Sequence, residues 1–142
     1  MSNPVAGPKP RKNLLPLHGF LSIALLTVQF LLGVGTTLFF EFPEAGSRWA
    51  AASGGWAGAH VIAGTLLLLL AIWVVVLAFR SKAGVWKVAS IVGLVGIVAA
   101  WLFGYSFVEK DNDVVSYLMT CSMGLAYLAY GYGLWKGENS PS

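Results

Sequence analysis

The chain has 142 residues, of which 57% are hydrophobic and only 11% are charged. Because about 25% of the residues in an ordinary soluble domain are charged, this composition excludes a water-soluble globular protein. The formal net charge is +3, but the basic residues flank apolar segments instead of forming a basic surface of their own. The sequence therefore gives no support to a nucleic-acid partner.

Four apolar segments follow one another, and each is close to the roughly 20 residues that a membrane-spanning helix needs. They cover residues 14–40, 57–79, 86–107 and 114–135. Residues 1–13 form a basic tail that contains prolines, and residues 136–142 form a second short tail. The sequence therefore predicts an all-α integral membrane protein, a bundle of four transmembrane helices without a soluble domain.

The first apolar segment is predicted to stay in the protein, since about 25 residues exceed the roughly 7–15 apolar residues of a signal peptide. Gln29 is its only strongly polar side chain midway. The following loop contains Trp49 and Trp56, and indole rings favour the headgroup layer of a membrane. We expect this loop to include a short helical turn along the surface.

The charges predict an orientation. If the N-terminus is cytoplasmic, the outside loops hold only two of the nine basic residues, Arg48 and Lys110, and the other seven lie inside: Lys9, Arg11, Lys12, Arg80, Lys82, Lys87 and Lys136. Cytoplasmic loops of membrane proteins carry such an excess of Lys and Arg. We therefore expect both termini to be cytoplasmic, in a cell membrane whose anionic lipids contact the basic residues.

Small residues recur along the third and fourth segments, and they include Gly93, Gly96, Gly104, Gly124 and Gly131. Small residues allow membrane helices to approach each other closely. The pattern predicts a packed bundle, and it also fits docking against a membrane protein partner or a second copy of the chain.

Ionisable residues within a membrane segment are costly and point to function, and only His18 and His60 qualify. They lie near opposite faces of the membrane, about 25 Å apart, so they cannot share one metal ion within a monomer. His18, near the inner face, is explained by interfacial water or a lipid phosphate. His60, near the outer face, is the candidate for a site, and interfacial anchoring is its alternative explanation.

His60 has neighbours at a similar depth that suit a heme. An imidazole and a thioether can take the two axial positions of heme iron, and the fourth segment carries Met119 and Met123. Glycines that could leave space for the macrocycle are Gly33, Gly35, Gly64, Gly104 and Gly124. Arg48 is available for the propionates. Simple helix packing is the alternative explanation for these methionines and glycines.

Other chemistries find little support. Proton or ion transport needs carboxylates within the bilayer, and segments two to four contain none. Ser22, four residues after His18, makes the only serine–histidine pair at helical spacing, and Cys121 is the single cysteine. No phosphate-binding loop or CxxC or HExxH motif is present. We therefore expect no independent catalytic activity.

Three stretches carry a family resemblance: QFLLGVGTTL (29–38), AHVIAGTLLLLLAIW (59–73) and YLMTCSMGLAYLAYG (117–131). They resemble one four-helix half of the heme A synthase family. The resemblance implies a four-helix bundle in which His60 is a heme ligand. The family has a carboxylate and an arginine beside this histidine, where this chain has Ala57 and Val61, and Ser122 stands where a second histidine is expected. It therefore implies heme binding more than heme oxygenation.

The sequence leaves three functions open. The first is a small protein with b-type heme near the outer face that transfers electrons or handles heme. The second is a non-catalytic transmembrane subunit of a larger membrane complex, such as a respiratory one. The third is a small-molecule transporter that acts as an oligomer.

Overall fold

The computed structural model describes residues 14–41, 43, 46–110 and 112–138. In this part of the chain the regular structure is entirely helical. The helices are α1 (Leu15–Phe39), α2 (Arg48–Ala52), α3 (Gly55–Arg80), α4 (Gly84–Lys110) and α5 (Asp113–Glu138). All except α2 are long and apolar enough to cross a membrane.

The four long helices follow the predicted segments to within three residues at each end. The predicted tail 1–13 lies outside the described residues, as do residues 139–142 of the second tail, whereas residues 136–138 continue α5. The expected turn in the first loop is the five-residue helix α2, whose N-terminus is capped by the Ser47 hydroxyl, which accepts from the Ala50 N–H at 3.2 Å. Asn112 caps α5 in the same way, accepting from the Val114 N–H at 2.9 Å.

The long helices form a four-membered ring. Helix α1 packs on α3, α3 on α4, α4 on α5, and α5 returns to α1. The short connections after α3 and α4 make those neighbours antiparallel, as expected for α3 and α4 from their sequence. The contact between α4 and α5 is the most extensive of the four, and that between α1 and α5 is the least extensive.

The half of the bundle that contains the α3–α4 turn is densely packed, and we call it the Trp86 half. Trp86 is fully buried, and its indole lies over Gly19 of α1 and Gly133 of α5, where a Cβ atom on Gly133 would come within 3.0 Å of the ring. Tyr130 is also fully buried and lies over Gly93 of α4. Glycines thus admit two large rings, whose dense van der Waals contacts hold membrane helices together.

The outer surface of the bundle is apolar. Large aliphatic and aromatic side chains project away from the core on all four long helices, and Leu128, for example, is 74% exposed. A soluble monomer rarely exposes continuous apolar surface on this scale. Such a surface is typical of a bundle that is surrounded by lipid.

Candidate functional site

The opposite half, which contains the α1–α3 and α4–α5 connections, is hollow. We call it the His60 half. Its cavity of about 340 Å³ lies between α1, α3, α4 and α5, within the range of about 300–1,000 Å³ that is usual for small-molecule sites. The described residues that line it are mostly apolar, and none of them is Asp, Glu, Lys or Arg. The cavity therefore suits an apolar molecule and disfavours a charged group in its interior.

His60 lines this cavity from α3 and is tied to α1. Its Nε2 atom lies 3.0 Å from Nε2 of Gln29. Because an amide nitrogen only donates, His60 Nε2 accepts this hydrogen bond and the ring proton is on Nδ1. The buried Nδ1 of His60 and Oε1 of Gln29 have no hydrogen-bond partner among the described residues. The pair therefore retains an unused donor and an unused acceptor.

Two glycines make this pair possible. A Cβ atom on Gly33 would lie 3.0 Å from Cε1 of His60, and one on Gly64 would lie 3.0 Å from Nε2 of Gln29. Residues four apart share a helix face, so each helix presents a polar residue and then a glycine, and each polar side chain covers the glycine of the other helix. Gly33 and Gly64 line the cavity. Their surfaces are covered by the side chains of His60 and Gln29, so they do not leave open space for a macrocycle.

The predicted methionines lie on the opposite wall. Met119 and Met123 of α5 both line the cavity, and a Cβ atom on Gly104 of α4 would lie 3.3 Å from Sδ of Met119. His60 lies at the α1–α3 contact and Met119 at the α4–α5 contact, which are opposite sides of the ring of helices. An imidazole and a thioether therefore face one space from two sides.

Three of the predicted site residues do not line the cavity, and one of them, Gly124, lines a separate groove. Gly35 is covered by Trp56, since a Cβ atom there would lie 2.8 Å from the indole. Arg48 begins α2 and is half-buried, and its neighbour Trp49 lines the cavity in its place. Arg48 therefore lies beside the cavity mouth, whereas Gly35 belongs to the packing of α1 on the start of α3.

Helix α2 covers the end of the cavity that faces the connections. It packs on α3 and α4, and Trp49 and Ala52 contribute to the cavity wall. The Trp49 ring lies 4.9 Å from that of Tyr105 on α4, and Phe39 and Trp56 lie 6.0 Å apart beside them. A short helix and the rings of Trp49 and Tyr105 therefore cover part of this end.

His18 takes no part in the site. It lies in the Trp86 half, and its Nδ1 donates to the Leu14 carbonyl at 2.8 Å, within its own helix turn. Its ring therefore has a partner within its own helix, and the interfacial water or lipid phosphate expected from the sequence stays a prediction.

Sequence reasoning missed Gln29 as a member of the site. The signal was present, because Gln29 and His60 are each followed four residues later by a glycine. It also missed Thr27, whose hydroxyl lies 2.6 Å from that of Tyr127 and joins α1 to α5.

The donors that line the cavity restrict the metal chemistry. The described residues contain no group of three or more His, Cys, Asp or Glu side chains that could hold a metal ion. The cavity offers a single imidazole and two thioethers. Such a set suits a metal that brings its equatorial ligands with it, as heme iron does.

Comparisons of the chain with models of protein families, with curated proteins and with solved structures find no match. The likeness to the heme A synthase family therefore rests on the quoted stretches of sequence alone.

Proposed function

We propose that this chain is an integral membrane protein, with both termini cytoplasmic, that holds heme b in its His60 half near the outer face of a cell membrane. It would serve electron transfer or heme handling, without independent catalysis. The observation that carries the proposal is that His60, Met119 and Met123 line one cavity from opposite walls.

Membrane insertion is supported by surface and charge together. Four helices have the length and hydropathy to span a bilayer, and their outward side chains are large and apolar. The His60 half then faces outward, because the excess of Lys and Arg lies at the other end of the bundle.

The side chains that line the cavity include donors of the kind that heme iron takes. Bound heme would supply a one-electron iron couple, and a histidine–methionine pair is a known ligand set that raises its potential. His60, with Met119 or Met123, would hold the iron. The apolar walls would exclude water, and Arg48 at the start of α2 would be a cation for the propionates.

His60 must turn before it can coordinate iron. Its Nε2 is bonded to Gln29 and its Nδ1 is buried without a partner. Rotation about the Cβ–Cγ bond brings a nitrogen towards the cavity and breaks the bond to Gln29, at a net cost of about 0.5–1.5 kcal/mol. The pair with Gln29 therefore competes with coordination and holds His60 at the cavity wall in the ligand-free protein.

The test is the absorption spectrum of the protein purified in detergent after expression with added heme, oxidised and then reduced with dithionite. We expect an α-band in the reduced-minus-oxidised spectrum that is lost in His60→Ala and kept in His18→Ala. His18 is the matched control because it is the other histidine and lies in the opposite half. A colourless wild-type protein, or a band that His60→Ala leaves intact, would refute the proposal.

A second candidate is a non-catalytic subunit of a larger membrane complex, such as a respiratory one. The observation that favours it is on α5, where Gly124 and Gly131 have no atom of another element within 4 Å of an added Cβ. Small residues with open space beside them allow a partner helix to approach. Extraction in several mild detergents tests this role, which predicts one discrete larger assembly and is contradicted by a monomer in all of them. No observation favours the oligomeric transporter.

A further inference from the structure

We propose that the ligand enters the cavity sideways from the bilayer, through the contact between α1 and α5, and not from the aqueous end of the bundle. This inference rests on the proposed function only for the identity of the ligand as heme. The route itself is inferred from the contacts between the helices, from a groove on the surface, and from the rings of Trp49 and Tyr105 that lie over the aqueous end.

The contact between α1 and α5 is the one best suited to open. These are the first and the last long helices, so no connecting segment joins them directly, whereas short connections join α3 to α4 and α4 to α5. Their contact is also the least extensive of the four in the ring. The hydrogen bond between Thr27 and Tyr127, at 2.6 Å, links the two helices near their middle. If α1 and α5 separate on the side of this hydrogen bond that faces the His60 half, the other three helix contacts stay in place.

A groove on the outside of this contact adjoins the cavity. The groove has a volume of about 330 Å³ and is lined by Phe30, Thr120, Met123, Gly124 and Tyr127. Phe30, Thr120 and Met123 also line the cavity. The two spaces therefore share a wall of three side chains, and Gly124, which has no neighbour within 4 Å of an added Cβ, keeps the groove open towards the lipid.

Helix α2 and two aromatic rings lie over the aqueous end. The tilted rings of Trp49 on α2 and Tyr105 on α4 lie 4.9 Å apart, and α2 packs on α3 and α4. A ligand from water would have to displace this aromatic pair, whereas a ligand from the bilayer would displace the three side chains that the groove and the cavity share, Phe30, Thr120 and Met123.

The lining restricts what can pass. Within the described part of the chain, neither the groove nor the cavity has an Asp, Glu, Lys or Arg side chain in its wall. A molecule that travels through them must therefore be apolar over most of its body, and any charged groups must stay at the membrane surface. A lipid-dissolved macrocycle with its acidic groups on one edge meets this requirement.

The experiment follows heme uptake in the full-length protein. Protein is reconstituted into phosphatidylcholine liposomes, hemin is added, and the rise of the Soret band is recorded by stopped flow. Gly124→Trp fills the groove, and we expect it to slow uptake by about tenfold while the final amplitude is unchanged. Gly131→Trp, two turns further along α5 with the same open surroundings, is the matched control and should keep the wild-type rate. Equal rates for the two variants would overturn the route.

Access from water is tested in the same assay. Trp49→Ala removes one of the rings that cover the aqueous end, and the proposed route predicts no acceleration of uptake, even if the final amplitude changes because Trp49 also lines the cavity. A rate several times faster than that of the wild type would place the opening at the aqueous end and overturn the proposal. Should Gly124→Trp fail to give a monodisperse helical protein, Gly124→Leu replaces it with the same expectation of slower uptake.

A second readout needs no heme, so failure of the route and failure of the proposed function can be told apart. A spin label is attached at Ala100→Cys, a position in the cavity wall, in a Cys121→Ala background. We expect its relaxation to respond to oxygen, which concentrates in lipid, and little to a water-soluble nickel chelate. The reverse preference would overturn the lateral route. Absence of a Soret band in every variant would instead refute heme binding.

Discussion

The two halves of the bundle use glycine in the same way and reach opposite results. In the Trp86 half, Gly19, Gly93 and Gly133 are covered by two large rings, and the interior is filled. In the His60 half, Gly33 and Gly64 are covered by an imidazole and an amide that bond to each other, and a cavity remains between the helices. The size and polarity of the covering side chain therefore decide whether close helix approach produces a core or a site.

The difference indicates a division of labour. Van der Waals packing around Trp86 holds the four helices together, so the His60 half can keep an open volume. Proteins generally accept such a loss of stability where binding requires it. Variants in the two halves should therefore separate stability from ligand binding.

The largest effect on stability is expected for Trp86→Ala. Removal of a buried Trp side chain costs about 3–5 kcal/mol through lost contacts and the cavity that is left. Thermal or denaturant unfolding in detergent measures the loss. The heme bound per folded chain should stay unchanged, and Trp73→Ala, on the half-exposed surface of α3 and outside the cavity wall, is the control. A marked loss of heme from folded Trp86→Ala would show that the halves are not independent.

Gly33→Leu should produce the reverse pattern. Even its Cβ atom would lie 3.0 Å from the His60 ring, so the larger side chain forces the imidazole out of its seat, at a cost of about 1–3 kcal/mol. We expect a loss of the heme band that exceeds the loss of stability, measured by heme titration and by unfolding of the same sample. Full heme binding by this variant would show that the packing of His60 on Gly33 is not needed for heme binding.

Gln29→Leu tests the polar pair. The substitution leaves His60 Nε2 without its partner, and we expect about 0.5–2 kcal/mol of destabilisation in the ligand-free protein. Because the hydrogen bond competes with coordination, heme affinity should rise by up to about tenfold. A double-mutant cycle with His60→Ala gives the coupling between the two side chains. No coupling in that cycle would mean that the hydrogen bond contributes nothing.

The smallest effect is expected for Gly131→Ala. An added Cβ meets nothing within 4 Å there, so only the higher helix propensity of Ala acts, and it stabilises the helix by up to about 1 kcal/mol. Unfolding should shift slightly upwards, with heme binding unchanged. Pronounced destabilisation would instead reveal a partner helix or a second copy on this face of α5.

Much of the architecture could be predicted because hydropathy and length act locally. The four long helices and the turn that became α2 all follow from residue patterns along the chain. That His60, Met119 and Met123 line one cavity could be anticipated, because the sequence predicts a similar depth for the three residues along their helices. The contacts between side chains of different helices could not be predicted, since the rotation of each helix about its axis depends on packing. Gln29 was therefore recognised as polar but not as the partner of His60, and Gly35 was assigned to a site that it does not line.

The most direct test of the central claim is a heme titration of the wild-type protein beside His60→Ala and His18→Ala, followed at the Soret band. The account predicts saturation at one heme per chain for the wild type and for His18→Ala, and no saturable binding for His60→Ala. Saturable binding by His60→Ala, or none by the wild type, would contradict the assignment of the cavity in the His60 half as a heme site.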